Sequence, residues 1–180
     1  GSYLPFANEG KYNAPSFIRR IEDSTGKVIY ENPHSDTQAL SSGSAFLINN
    51  CLESTVQDGT ATRLQAAGVP LSAKTGSVSY LGKGLSDAWV IGFNADYIGV
   101  CWMGYDKTDS NHFLPSDVSG GKQPAIILAQ LYQTLYPDGN GPTFTAPSDV
   151  TLVNLDLQAY NEDHELMLAT ENTPSNYVYS

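Results

Sequence analysis

The stretch SAKTGSVSYLGKGLSDAWVIGFNADYIGVCWMGYD, residues 72–106, decides the fold of this chain. It contains most of three runs of strand-forming residues, 70–80, 86–94 and 97–105, which are separated by the turn-forming segments YLGKGLS and NAD. Connections as short as these join antiparallel neighbours. The stretch therefore predicts a three-stranded antiparallel meander.

The first of these runs has an unusual centre, made of Lys74, Thr75, Gly76 and Ser77. A glycine inside a strand weakens it and commonly marks a place where a ligand or another backbone approaches closely. A lysine and hydroxyl groups beside that glycine are suited to binding an anion. The alternative that the residues leave open is a solvated lysine on an edge strand, with the glycine at a β-bulge.

The rest of the chain predicts an α+β fold, an antiparallel sheet flanked by helices. Residues 14–31 predict a hairpin, because two β-prone runs surround a D-S-T-G turn. Residues 41–58 predict a helix with serine caps at its start and Gly59 as its C-terminal cap. Residues 124–136 predict a second helix, which is apolar nearly all round and should be well buried.

A turn-rich segment, 137–148, indicates a boundary, so we expect one domain over 1–147 and a C-terminal strand and polar tail over 148–180. In the second part, DVTLVNLDLQ alternates as one half-buried strand would. The last twenty residues are polar and acidic, and we expect them to be poorly held unless they dock.

Composition limits the partners. The chain has 180 residues, of which 41% are hydrophobic, and a formal net charge of −10. Nucleic acids and anionic membrane surfaces attract clustered lysine and arginine, so neither is an expected partner. No apolar run approaches the ~20 residues of a membrane span, and no signal sequence opens the chain.

Cysteine and histidine usage does not predict a disulfide framework or a metal site. Cys51 and Cys101 are too few for such a framework, and both lie in apolar runs that predict buried thiols. His34, His112 and His164 are far apart, and no C-x-x-C occurs. We expect the acidic NEDHEL segment around the last histidine to be a solvated loop.

These residues also resemble a known family. Residues 72–106, with K-T-G followed by D-A-W and W-M-G-Y-D at hairpin spacing, resemble the third to fifth core strands of class A penicillin-binding protein transpeptidase domains. Residues 3–30 look like that family's F-A-N-x-G segment, 56–64 its G-T-A turn, and 166–174 the start of its C-terminal tail. The resemblance implies a partial penicillin-binding, β-lactamase-like fold, with 1–147 as the C-terminal portion of the transpeptidase domain.

The resemblance implies a serine acyltransferase, a D,D-transpeptidase that cross-links peptidoglycan stem peptides ending in D-Ala-D-Ala and is acylated by β-lactams. By this likeness Lys74 and Ser77 are catalytic: the lysine supplies a positive field and the serine a backbone N–H for the oxyanion. The hydroxyls of Thr75 and Ser77 contact the substrate carboxylate, and Gly76 leaves room for the substrate backbone. No cofactor and no metal are implied.

The family's nucleophile motif is missing. Of two literal Ser-x-x-Lys matches, 24–27 lies in the predicted hairpin turn and 119–122 carries two glycines before the second helix. Neither begins an apolar helix, as activation of the serine would require. Ser-x-Asn does not occur, and Tyr30-Glu31-Asn32 lies at a strand end. We therefore expect the chain to be inactive alone and to need an upstream part of the same domain that carries Ser-x-x-Lys.

Several alternatives stay open. An exposed strand edge, 97–105 or 70–80, could be covered in a homodimer or by strand exchange. The chain could instead be a non-catalytic transpeptidase-like binding module at the cell surface, or part of a D,D-carboxypeptidase or β-lactamase. By the resemblance, the expected location is the extracytoplasmic face of the bacterial cell membrane, with the anchor outside this chain.

Overall fold

The computed structural model describes residues 1–33, 35–171 and 175–179. The chain divides into two compact units, Gly1–Phe144 and Thr145–Ser180. The assignment of 148–180 as a separate strand and tail stays a prediction. The elements of the first unit are α1 Leu4–Ala7, β1 Lys11–Tyr12, β2 Arg20–Glu22, β3 Val28–Glu31, β4 Thr37–Gln38, α2 Ser42–Gln57, a 3₁₀ helix Thr62–Ala67, β5 Ser72–Tyr80, β6 Gly84–Phe93, β7 Ile98–Gly104 and α3 Gln123–Leu135.

The predicted meander is confirmed. Strands β5, β6 and β7 form an antiparallel sheet in that order, so β5 and β7 are its two edges among the described residues. The β5–β6 turn has left-handed backbone at Leu81 and Gly82, as tight hairpin turns require. In the β6–β7 turn, the buried Asn94 side chain accepts hydrogen bonds from the N–H groups of Asp96 and Tyr97. Local turn chemistry therefore sets the strand pairing.

One face of the meander packs against α3 and the 3₁₀ helix. Alternation along β5 turns Ala73 to this face, where it is fully buried. The hydrophobic core consists of Val56, Ala61, Leu64, Ala67, Val69, Leu71, Ala73, Val90, Ala125, Leu128, Ala129 and Tyr132. Gly92 and Gly99 allow this close packing, because a Cβ on either glycine would press on the side chain of Leu128.

Helix α2 agrees with its predicted bounds, but its C-terminal end differs. Ser41 caps the start by accepting a hydrogen bond from the Ser44 N–H at 3.1 Å. The cap at the other end is Asp58, and Gly59 does not adopt the left-handed conformation of a glycine cap. Gly59 has a different reason to be glycine, since a Cβ there would lie 2.7 Å from the Thr55 Cα.

The prediction that α3 is buried nearly all round is wrong for the described structure. The sides that face the sheet and the 3₁₀ helix are covered, and the remaining side carries four large apolar residues that are 40–50% exposed: Ile126, Ile127, Leu131 and Leu135. On β7, Val100 and Trp102 are also 54% and 40% exposed. Apolar patches of this kind are typical of surfaces that bind another segment or protein.

The predicted hairpin is confirmed as β2 and β3. Its turn is held by Asp23, whose carboxylate accepts hydrogen bonds from the N–H groups of Thr25 and Lys27 and from the Thr25 hydroxyl. These hydrogen bonds lower the pKa of Asp23, and the bond from the Thr25 hydroxyl has the largest effect. Every residue of both strands is exposed, so the strands bury little apolar surface. The hydrogen bonds of the turn therefore contribute much of the order of this hairpin.

The second unit pairs β8, Leu152–Asp156, antiparallel with β9, Ser175–Tyr179, and places α4, Leu157–Asp163, between them. The strand predicted at the start of this unit is confirmed. The chain end was expected to be poorly held unless it docks, and residues 175–179 meet that condition, since they pair with β8 along their whole length. Residues 172–174, the end of the family-like tail segment, lie outside the described residues.

The acidic segment around His164 is exposed, as predicted, but it is not wholly a loop, because residues 161–163 form the last turn of α4. Asp156 begins that helix by accepting hydrogen bonds from the N–H groups of Gln158 and Ala159. His164 is the C-terminal cap, with left-handed backbone and its N–H bonded to the last turn. A cap residue at each end outweighs the weak helical signal of the acidic sequence.

Candidate active site

The site predicted from the sequence lies on β5, an edge strand of the described meander. Lys74 and Ser77 are exposed, whereas Thr75 and Gly76 are half-buried. The Lys74 ammonium donates a hydrogen bond to the carbonyl oxygen of Thr75 at 2.9 Å. The lysine therefore lies along its own strand, with its charge in solvent.

Gly76 is not at a bulge. It pairs in regular register with Trp89 of β6, and the register shifts only between Val78 and Ser79. Its backbone is not left-handed, and an added Cβ would meet only the Trp89 Cβ at 3.5 Å, an ordinary contact. Within the described chain, neither backbone conformation nor packing requires a glycine at this position.

The hydroxyls of Thr75 and Ser77 point to the same face of the sheet, since side chains two residues apart share a face. The Thr75 oxygen lies 2.7 Å from the hydroxyl oxygen of Thr60, which belongs to the turn that follows α2. The Ser77 oxygen accepts a hydrogen bond from the N–H of Gly120 at 3.2 Å. Two distant turns thus contact the hydroxyls of Thr75 and Ser77.

Sequence reasoning missed the part played by these two turns. A Cβ on Gly120 would overlap the carbonyl oxygen of Trp89, and a Cβ on Gly121 would overlap that of Thr60. The Gly-Gly pair therefore allows the segment before α3 to lie directly on the backbone beside β5. The adjacent glycines were the available signal, but nothing local indicates which backbone they approach.

Neither of the two literal Ser-x-x-Lys matches lies within a helix, although Lys122 is the residue directly before α3. Residues 24–27 form the turn of the β2–β3 hairpin. Residues 119–122 form a turn closed by a hydrogen bond from the Lys122 N–H to the Ser119 carbonyl, and the Lys122 ammonium donates to the carbonyl of Asp117. In both, the lysine is held by the turn and is not placed on a helix one turn after the serine.

Cysteine and histidine placement was predicted less well. Cys51 is exposed on α2, so its predicted burial is wrong, whereas Cys101 on β7 is half-buried and burial raises the pKa of its thiol. Both cysteines are free thiols. Across 1–33, 35–171 and 175–179, no group of three or more His, Cys, Asp or Glu side chains could hold a metal ion, and His34 lies outside these ranges. The described helices include none that is long and apolar enough to cross a membrane.

An antiparallel meander with Lys-Thr-Gly on its edge strand defines a class, since this motif is a signature of penicillin-binding proteins and serine β-lactamases. Within that class, the model of the penicillin binding protein transpeptidase domain matches residues 2–133, and the chain belongs to this family. The resemblance inferred from the sequence and the α+β fold class are confirmed.

The chain is 34% identical over 152 residues to penicillin-binding protein 1F of Bacillus subtilis, a match that covers 83% of this chain and 20% of the relative. It is 32% identical over 146 residues to penicillin-binding protein 2a of Streptococcus pneumoniae, which covers 80% of the chain and 20% of that relative. The chain thus spans about a fifth of the length of these curated relatives.

Solved structures show the same fold. Penicillin-binding protein 1A of Haemophilus influenzae superposes with a TM-score of 0.73 at 21% identity, over 98% of this chain and 30% of that one. The penicillin-binding protein PonA1 of Mycobacterium tuberculosis superposes with a TM-score of 0.62, over 81% and 39% of the two chains. At this level of identity, the likeness supports the architecture of the chain and not its chemistry.

Proposed function

We propose that this chain is the C-terminal part of a peptidoglycan D,D-transpeptidase domain, which cross-links stem peptides ending in D-Ala-D-Ala by serine acyl transfer and binds β-lactams. The observation that carries the proposal is the open edge of β5, where Lys74 to Ser77 lie within the region matched by the transpeptidase family. In this proposal the chain supplies the strand that binds the substrate and stabilises the oxyanion.

Lys74, Thr75 and Ser77 together suit the terminal carboxylate of a D-Ala-D-Ala peptide or the carboxylate of a penicillin. The exposed lysine provides a positive field, and hydrogen bonds to an ionised acceptor are roughly twice as strong as neutral ones. Among the described residues, the ammonium is held by the Thr75 carbonyl, and from there it can turn to an arriving anion. The hydroxyls of Thr75 and Ser77 supply donors on the other face of the same strand.

The backbone N–H of Ser77 is the proposed oxyanion donor. In an antiparallel pair, successive residues alternately turn their backbone groups toward and away from the partner strand. The Thr75 carbonyl accepts from the Lys74 side chain, which indicates that Thr75 turns its groups away from β6. Ser77, two residues further on, then turns its N–H the same way, toward the open edge. Losing such a donor typically costs about 3–4 kcal/mol of transition-state stabilisation.

Gly76 supports the same assignment. Since the described chain has space for a Cβ at this position, the reason for glycine lies outside the chain's own packing. A substrate backbone that runs along the strand edge, at van der Waals distance, would give that reason. Thr75, Gly76 and Ser77 are therefore the proposed substrate-binding residues, and Lys74 and Ser77 the proposed catalytic ones.

The nucleophile must come from a segment that this sequence does not contain, because both Ser-x-x-Lys matches form turns and neither serine lies in a helix with its lysine one turn later. The exposed apolar residues of α3 and β7, among them Leu131 and Trp102, offer a surface on which such a segment could pack. We propose that an upstream part of the same domain carrying Ser-x-x-Lys covers it. A second copy of the chain, by dimerisation or strand exchange, is the other candidate, and light scattering of the isolated chain distinguishes a dimer from a monomer.

The substrate also implies a location. Stem peptides are cross-linked in the cell wall, so we propose that the site works at the extracytoplasmic face of the bacterial cell membrane. The acidic net charge of −10 is compatible with a peptide substrate that is recognised locally by one lysine. A non-catalytic binding module at the cell surface is less favoured, because such a module would have no need of the Lys-Thr-Gly-Ser run.

Labelling with a fluorescent penicillin tests the proposal. The isolated chain should give no covalent band on a denaturing gel, and the chain joined to an upstream Ser-x-x-Lys segment should give one. Lys74→Gln in the joined protein should reduce labelling at least tenfold, on the order of one charge-assisted hydrogen bond. The control Lys83→Gln, in the β5–β6 turn, should label normally. A covalent band on the isolated chain, or no band on the joined protein, would contradict the proposal.

A further inference from the structure

We propose that Thr60 is a positioning residue, which orients the hydroxyl of Thr75 as a hydrogen-bond donor to the carboxylate of the substrate. This inference rests on the proposed function and adds a residue to its site. The observation is the 2.7 Å distance between the hydroxyl oxygens of Thr60 and Thr75, fifteen residues apart in the sequence.

The direction of this hydrogen bond follows from the chemistry of the ligand. A hydroxyl has one proton to donate and can accept two hydrogen bonds, whereas an ionised carboxylate only accepts. If Thr75 donates to an incoming carboxylate, the bond between the two hydroxyls must run from Thr60 to Thr75. The bound anion therefore selects a chain of donors from Thr60 through Thr75 to the carboxylate, and each bond in such a chain strengthens the next.

The hydroxyl of Ser77 follows the same principle. Ser77 accepts a hydrogen bond from the N–H of Gly120, a group that can only donate. The Ser77 proton is therefore free for another acceptor. In this arrangement, both hydroxyls proposed to bind the carboxylate accept a hydrogen bond from a protein group. Their own protons are therefore available to the ligand.

Close packing fixes Thr60 in this place. The Thr60 carbonyl oxygen lies so near Gly121 that a Cβ on this glycine would overlap it, and that Cβ would also lie 3.6 Å from the Thr75 methyl carbon. The turn after α2, the segment before α3 and the centre of β5 are therefore in mutual contact. The Thr60 side chain itself is exposed, so its hydroxyl is not needed to fill the core.

Thr60→Val tests the proposal, because valine keeps the shape of threonine and removes the hydroxyl. The experiment uses the transpeptidase in which this chain is joined to the upstream Ser-x-x-Lys segment, and it measures the second-order rate constant of acylation by benzylpenicillin. We expect this rate constant to fall about tenfold, the factor that corresponds to one net hydrogen bond. Thr60→Ser should restore it, and the matched control Thr62→Val, on an exposed position two residues further on, should leave it unchanged.

Two further readouts separate positioning from a general structural effect. With the methyl ester of the same penicillin, which lacks the ionised carboxylate, Thr60→Val and the wild type should react equally. In a Thr75→Val background, Thr60→Val should cause no additional loss, since the effect passes through the Thr75 hydroxyl. The thermal midpoints of Thr60→Val and Thr62→Val should agree, which excludes misfolding.

The outcomes distinguish this inference from the function on which it rests. If the joined wild-type protein is not acylated by penicillin, the proposed function fails and this inference fails with it. If the wild type is acylated and Thr60→Val behaves like Thr62→Val, or slows penicillin and its ester equally, the positioning role alone is overturned.

Discussion

Replacing Tyr132 by phenylalanine tests how α3 is attached to the sheet. Tyr132 is fully buried in the core, and its hydroxyl lies 2.9 Å from the carbonyl oxygen of Gly92 on β6 and 3.0 Å from that of Tyr97, just before β7. The hydroxyl thus donates to backbone groups at the β6–β7 end of the meander. Phenylalanine keeps the ring and removes this link.

The expected loss follows from the geometry. One net intramolecular hydrogen bond stabilises a protein by about 1 kcal/mol, and leaving a buried carbonyl without its donor costs about 1–3 kcal/mol. Removal of one oxygen atom leaves only a small void, so the cavity contribution is minor. We expect Tyr132→Phe to lower the free energy of unfolding by about 1–3 kcal/mol at neutral pH.

The same side chain predicts a pH dependence. Burial raises the pKa of Tyr132 to about 12, from its ordinary value of 10.0. Between these two values, the unfolded chain has released a proton that the folded chain still holds, so the free energy of unfolding falls as the pH rises. Below pH 10 both states are protonated and this dependence vanishes. Tyr132→Phe lacks it, and the difference between wild type and variant should therefore shrink between about pH 10 and pH 12.

Urea unfolding of the isolated chain, followed by circular dichroism, measures both effects. Unfolding curves at pH 8 give the first difference, and a series up to pH 12 gives the second. Tyr105→Phe is the matched control, since its ring is 44% exposed. Equal stability of Tyr132→Phe and the wild type at pH 8, or a difference that stays constant to pH 12, would refute the reasoning.

Two other predictions concern different parts of the first unit. Leu128 is 1% exposed, so Leu128→Ala should lower the free energy of unfolding, measured by thermal unfolding, by about 2–5 kcal/mol. Leu131 is 50% exposed, and Leu131→Ala should cost much less. Equal losses for the two variants would contradict the packing of α3. The hydrogen bonds in the hairpin turn lower the pKa of Asp23. On acidification, the amide signals of Thr25 and Lys27 in nuclear magnetic resonance should therefore stay constant until the pH falls below the ordinary aspartate range. A titration midpoint at the ordinary value would contradict the hydrogen bonds described for this turn.

The meander was predictable from the sequence because its signals are local. Alternating residues and short turns decide strand pairing within residues 72–104, and the Asp23 turn does the same for the hairpin. The helix over 42–57 was predictable for a similar reason, since Ser41 caps it one residue before its start. Each of these features depends on residues only a few positions apart.

Exposure was less predictable, because it depends on what covers an element. The apolar side of α3 and the thiol of Cys51 were expected to be buried, yet both lie at the surface of the described structure. Apolar periodicity reports that a side chain is suited to burial and does not identify its partner. The contacts of Thr60 and Gly120 with β5 also escaped prediction, since they join residues 15 and 43 positions apart.

The glycines in and beside β5 differ in whether the fold of the chain requires them. Gly120 and Gly121 have no room for a Cβ, so the fold requires them, and their effect is complete in this chain. Gly76 has room and regular strand geometry, so the fold does not explain it. Close packing of Gly120 and Gly121 beside β5, together with a glycine in β5 that this packing does not require, agrees with the proposal that β5 binds the substrate.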